Sequence, residues 1–145
     1  MPGPLLLDAG PLVAYLYPRD AYHDWAVQQF AAADAPFVTC EPALTEACFL
    51  TARNGQRPSR VLELLARGII RVGLNIEAEA TAIAALVQRY TNVPISLADA
   101  CLVRLGEMTR RAVVTLDSDF TVYRTSRGQP LEVVMPHSPF GLHEP

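Results

Sequence analysis

The chain has 145 residues, 50% of them hydrophobic and 19% charged, with a formal charge of −3. These values suit one globular domain with a sizeable core, and the negative balance excludes a globally basic nucleic-acid binder. No uninterrupted apolar run reaches the roughly 18 residues of a membrane helix, and the apolar start lacks a basic leader region, so neither a membrane span nor a signal peptide is read.

In chain order, Pro4 to Leu7 is a short apolar run that ends at Asp8 and predicts a buried strand. Gly10-Pro11 then opens a helix that stops near Pro18, because proline is tolerated in a first helical turn. A second helix is predicted over 22–33, with Trp25, Val27 and Phe30 as its apolar contacts, and Pro36 breaks the chain after it. Phe37 to Cys40 predicts a second strand, and Glu41-Pro42 starts a helix to about Arg53. Asn54-Gly55 is a turn, Ser59 to Arg67 a helix capped by Gly68, and Ile69 to Val72 a third strand. Helices follow over Glu77 to Tyr90 and from Ser96 to about Arg110. Ala112 to Leu116 is the fourth strand, Leu131 to Val134 the fifth, and residues 136–145 read as a loose tail after a single domain over 1–135.

Short, wholly apolar strands alternating with helices predict an α/β three-layer sandwich, its central sheet mostly parallel, of about five strands and flanked by helices. In such folds ligands bind beyond the carboxyl ends of the strands. Asp8 and Asp117 sit at two of those ends.

Four carboxylates carry the functional reading: Asp8, Glu46, Asp99 and Asp117. Each has a plain alternative. Asp8 can cap the first helix. Ser96 and Asp99 have capping-box spacing, and an acid in a first turn suits the helix dipole; Asp99 lies off the apolar stripe of Leu97, Cys101, Leu105 and Met108. Asp117 and Asp119 can form an ordinary turn, or place one ligand at the sheet edge while the other fixes the loop. Glu46 sits on a helix that is apolar almost all round, which predicts burial. It has no basic residue three or four positions away, so it needs another partner. Acids gathered at one sheet edge without cations point to a divalent metal.

The remaining titratable residues say less. Cys40, Cys48 and Cys101 have no CxxC spacing and read as reduced core residues of a cytosolic protein. His23 is a weak candidate for a functional role, and His137 and His143 carry no usable signal. All 12 basic residues are arginine. Arg53, Arg57, Arg60, Arg67 and Arg71 form the densest basic stretch, either a solvated helix face or a set of phosphate contacts; Arg104, Arg110 and Arg111 form a lesser cluster.

Four segments, LLLDAGPLVAYL, PALTEACFL, ISLADACLVRL and VVTLDSDF, together resemble the PIN-domain family of metal-dependent ribonucleases, particularly its VapC-like toxins. The resemblance implies Mg²⁺- or Mn²⁺-dependent hydrolysis of RNA phosphodiesters. It makes Asp8, Glu46 and Asp99 the core ligands and Asp117 a second-metal or water-mediated ligand, with Asp119 and Thr115 in support. Arg53, Arg57 and Arg60 are then candidate RNA contacts. A small antitoxin protein, a homodimer and a cytoplasmic location are implied as well. Where the family often has Ser or Thr soon after the first Asp, this chain has Ala9-Gly10, losing a hydroxyl but no carboxylate.

Other readings compete. VVTLDSDFTV is also similar to the first motif of haloacid-dehalogenase-like phosphatases, but that family needs a lysine and further downstream acids, and this chain has no lysine. The same lack weakens a phosphoryl-receiver reading. An RNA-processing nuclease that is not a toxin and a catalytically silent PIN-like interaction module stay open; the module has no reason to bear the mutual repulsion of the acids.

Overall fold

The structure, a computed structural model, describes residues 3–137. The strands are β1 (Leu6–Leu7), β2 (Phe37–Thr39), β3 (Ile70–Val72), β4 (Val113–Val114) and β5 (Val133–Val134). The helices are α1 (Ala9–Leu16), α2 (His23–Ala32), α3 (Glu41–Arg53), α4 (Ser59–Ala66), α5 (Ile76–Arg89) and α6 (Leu97–Thr109). All strands pair in parallel, in the order β3-β2-β1-β4-β5.

Three layers follow from the two-residue period of a strand, which sends neighbouring side chains to opposite faces. Leu6 and Val113 enter a core with Ile83 and Leu86 of α5 and Leu102 and Leu105 of α6. Leu7 and Val114 enter a second core with Leu12 and Leu16 of α1, Leu44 of α3, and Val61 and Leu64 of α4. Helix α3 serves both cores, Ala43 facing the first and Leu44 the second. The strands can be short and wholly apolar because helices cover both faces.

Every predicted strand and helix is present, and Gly68 ends its helix turn with φ +76°, a conformation that favours glycine. Three details differ from expectation. Helix α3 is buried only along Ala43, Leu44, Ala47 and Thr51, while Phe49 is 61% exposed and Glu46 also faces solvent. In α6 the expected stripe is broken: Leu97 and Met108 are exposed, whereas Ala98, Ala100, Leu102, Val103 and Gly106 are buried. Packing on several sides of α6 buries its small residues, which a one-face pattern does not anticipate. In α2 the buried residue is Ala26, and Val27 is exposed.

After β4 the chain makes a 3₁₀ turn at Ser118–Thr121, which was not predicted. Beyond it, Arg124 donates to the carbonyls of Thr121, Val122 and Tyr123. Tyr90, at the end of α5, accepts the Arg124 N–H at 2.7 Å. The loop after β4 is therefore tied into the body of the domain. Residues 138–145 of the expected tail, His143 among them, lie outside the described residues.

Candidate active site

Strand pairing makes the acidic edge. The Asp8 N–H donates to the Val114 carbonyl at 3.0 Å, so the carboxyl ends of β1 and β4 lie side by side. Asp8, at the end of β1, is the N-cap of α1 and is only 7% exposed. Its Oδ1 accepts the Ala9 N–H at 2.8 Å, and its Oδ2 accepts the fully buried Thr115 hydroxyl at 2.7 Å. Thr115 Oγ1 also accepts the Asp117 N–H at 2.9 Å, and Asp117 Oδ1 accepts the Asp119 N–H at 2.9 Å. One hydroxyl thus joins the acids at the two strand ends. Asp117, not Asp119, is the acid whose side chain fixes the loop, as the cap of the 3₁₀ turn.

Asp99 lies in the first turn of α6. Ser96 caps that helix by accepting the Asp99 N–H at 3.0 Å, as the spacing predicted. The Asp99 carboxylate has a partner beyond the cap as well: its Oδ2 accepts the Tyr123 hydroxyl at 2.9 Å. Sequence reasoning missed Tyr123. The available signal was that a buried tyrosine needs a partner for its hydroxyl; its partner lies 24 residues away. Burial, followed by the hydrogen bond and charge of Asp99, pushes the Tyr123 phenol well above its ordinary range, so it stays a proton donor.

The acids act on one another. Burial pushes Asp8 up to about 6 from its ordinary 3.8, against the bonds from Thr115 and Ala9, and the charges of Asp99 and Glu46 add to the rise. Asp99 is raised by burial and by Asp117 and Asp119, with Tyr123 and Ser96 opposing. Glu46 is raised by partial burial of its carboxyl and then by Asp99 and Asp117. The structure therefore brings Asp8, Glu46, Asp99, Asp117 and Asp119 into one electrostatic cluster. No ion pair between described residues reaches it; the salt bridges run from Arg104 to Glu79 and Glu107. Among the described residues, the donors to the Asp8, Asp99 and Asp117 carboxylates are all neutral.

Among the described residues, no three His, Cys, Asp or Glu side chains stand close enough to enclose a metal ion between them. The donor set is still that of a hard dication. Mg²⁺ keeps several waters and is typically held by one or two carboxylates together with substrate phosphates. An edge of oxygen donors that destabilise one another fits such an ion; a closed cage would not be needed.

Of the three arginines read as candidate RNA contacts, two have partners within the chain. Arg60 donates to the Leu16 carbonyl and to Gln56 Oε1, both at 3.3 Å. Arg53 lies over the Phe49 ring, 5.7 Å from its centre, and Arg57 is exposed.

Residues 5–125 match the PIN domain. The chain belongs to the PIN-domain family. No curated protein matches the sequence. In three dimensions the PIN domain is similar to the crystal structure of Mycobacterium tuberculosis VapC20, described as a sarcin-ricin loop cleaving toxin. The TM-score is 0.71 at 20% identity, covering 81% of this chain and 93% of that one. The likeness is one of fold. No helix among the described residues is long and apolar enough to cross a membrane.

Proposed function

We propose that this PIN domain is a metal-dependent endoribonuclease, and that it acts as the toxin of a toxin–antitoxin pair. The observation that carries the reading is the cluster of Asp8, Glu46, Asp99 and Asp117 at the carboxyl ends of β1 and β4. Burial first, and then neighbouring acid charges, raise the proton affinity of Asp8, Glu46 and Asp99, and the donors that Asp8 and Asp99 accept from are neutral. A purely structural site would have little reason to gather them without cations. The VapC toxin likeness supports the toxin reading.

Asp8, Glu46 and Asp99 would hold Mg²⁺ or Mn²⁺, with Asp117 contributing directly or through water. When bound, such an ion supplies Lewis-acid stabilisation of charge on a phosphate and makes water more acidic. The chain's own residues supply orientation. Thr115 fixes Asp8 Oδ2, and Tyr123 fixes Asp99 Oδ2. Asp117 holds the loop that carries Asp119. Without metal, Asp8 is raised to about 6 by its burial, so its own negative charge appears as pH rises through that value. The substrate is RNA. A small antitoxin partner, a homodimer and a cytoplasmic location belong to the same proposal, as do weak RNA contacts from Arg53, Arg57 and Arg60.

The test is cleavage of a mixed single-stranded RNA pool in Mg²⁺, Mn²⁺ or EDTA, comparing wild type with Asp99→Asn. Cleavage that needs metal and is lost in the variant is the expected result. A folded wild-type protein that binds the metal but cleaves no RNA would instead favour a silent PIN-like interaction module.

A further inference from the structure

At the far end of α6 from Asp99 is an open cleft of about 630 Å³. Arg104, Arg110, Arg111 and Arg127 line it, against two acids, Glu107 and Glu132. Arg104 is held by Glu79 at 2.7 Å and Glu107 at 3.1 Å. Arg110 and Arg127 make no ion pair with any described residue.

Two backbone features present these charges. Arg110 ends α6 at φ +57°, a left-handed position where glycine or asparagine is usual, and is the one non-glycine residue with positive φ among those described. Arg127 sits at the tip of a closed turn. The Thr125 N–H donates to the Gln129 carbonyl at 2.8 Å, the Gly128 N–H donates to the Thr125 carbonyl at 2.8 Å, and Gly128 takes φ +77°. Glu107 accepts the Ser126 N–H, and Arg89 donates to the Thr125 carbonyl at 2.6 Å, so the turn is anchored from two helices.

We infer that this cleft is a second phosphate-binding site, for the backbone of an RNA whose scissile bond lies at the acidic edge; the inference rests on the nuclease reading. A polyanion is repelled by the acid cluster and must be held by cations elsewhere. Arg53 and Arg60 are already stacked on Phe49 or bonded to Leu16 and Gln56, whereas Arg110 and Arg127 have no ion pair with a described residue. Guanidinium groups match phosphate oxygens in a two-pronged geometry. The cleft wall has no aromatic side chain among the described residues for a base to stack on, so it would hold the backbone without reading sequence. Arg110 lies about 16 Å along α6 from Asp99 at the helical rise, so one RNA can reach both ends.

The test combines Arg110→Asn with Arg127→Gln; asparagine tolerates the left-handed backbone, so the charge is removed without straining the end of α6. A fluorescein-labelled single-stranded RNA of mixed sequence is titrated in EDTA at 50 and 200 mM salt. Two lost phosphate contacts on a single strand reduce the salt slope by about 1.4. Between those salts the wild-type Kd should therefore rise about sevenfold more than the variant's. In parallel, NMR of the arginine side chains during titration with inorganic pyrophosphate should show Arg110 and Arg127 perturbed. Undisturbed arginines overturn the site, whatever RNA does. Perturbed arginines with an unchanged RNA salt slope overturn RNA as its occupant, leaving a small-anion site. Failure of the nuclease reading is seen separately, as absence of metal-dependent cleavage by wild type.

Discussion

The two ends of α6 handle charge in opposite ways. At its first turn, Asp99 joins a group of acids whose hydrogen bonds come from hydroxyls and backbone N–H groups, with no ion pair between described residues. Beyond its last turns, Arg104 is matched by Glu79 and Glu107, and Glu107 also accepts the Ser126 N–H. Both arrangements suit the helix dipole, which favours acids at the N-terminus and cations at the C-terminus. They differ in what removal of a charge does. At the far end the Arg104–Glu79–Glu107 group is internally compensated, so neutralising a partner within it loses an interaction. The acidic end is uncompensated, so neutralising a member there relieves repulsion in the protein without metal.

The largest expected effect is on turnover. Asp99→Asn should lower metal-dependent RNA cleavage more than about 100-fold, beyond the loss typical of a residue that only supports a metal ligand. Its RNA affinity in EDTA should not fall, since one repelling charge is gone. A variant that loses binding as well as cleavage would contradict the division of labour between the two ends.

Asp8→Asn tests the stored repulsion. The folded chain keeps the Asp8 proton up to about pH 6, whereas the unfolded chain releases it near 3.8. Between those values the native state binds more protons, so stability falls as pH rises and stays reduced above pH 6. With Asp8 nearly buried, asparagine should stabilise the metal-free protein by roughly 3 kcal/mol at pH 8, shrinking towards zero near pH 4. Thermal melts in EDTA measure it. Destabilisation of Asp8→Asn at pH 8 would mean that the ionised carboxylate is locally compensated after all.

How much of this was legible in sequence follows from the range of each interaction. Strands β1 and β4 and the acids at their ends were legible because each is a local apolar run followed by a charge. The Ser96 cap of α6 was legible for the same reason. The Tyr123 contact was not, since nothing near Asp99 in sequence announces a donor from beyond β4. Helix burial was misjudged for a related reason. Counting apolar residues on a wheel assumes that one face is covered, but α3 leaves Phe49 in solvent and α6 buries Ala98, Ala100 and Gly106. The arginines show the same limit of range: the stretch from Arg53 to Arg60 is a local cluster visible in sequence, whereas Arg104, Arg110 and Arg111 gain Arg127 only when the 125–129 turn folds against α6.

Thr115→Val sharpens the comparison at the level of a single hydroxyl. It removes the bond to Asp8 and leaves the Asp117 N–H without its acceptor. The cost should be about 2 kcal/mol. Thr115 lowers the Asp8 pKa, so its loss drives Asp8 further up. Denaturant titrations should therefore show a greater loss above pH 6, where Asp8 is ionised, than near pH 4. A loss independent of pH would mean that Thr115 stabilises the strand end without serving the carboxylate.

Glu107→Gln should give the smallest effect, of the opposite sign to Asp8→Asn. Burial works against the Glu107 charge, but the bonds from Ser126 and Arg104 outweigh it and hold the carboxyl below its ordinary 4.5. Its contribution is therefore present above that value and fades as pH falls through the lowered pKa. Because Arg104 is partly exposed and keeps Glu79, and glutamine can still accept the Ser126 N–H, the loss should be only about 1 kcal/mol, or about 3 °C in melting temperature. Glutamine also removes a negative charge from the wall of the arginine cleft, so RNA should bind more tightly in EDTA even as the fold weakens. Neutralising one acid would thus stabilise the protein at one end of α6 and destabilise it at the other. If both substitutions move stability in the same direction at pH 8, the two ends do not differ in compensation, and the contrast between them fails.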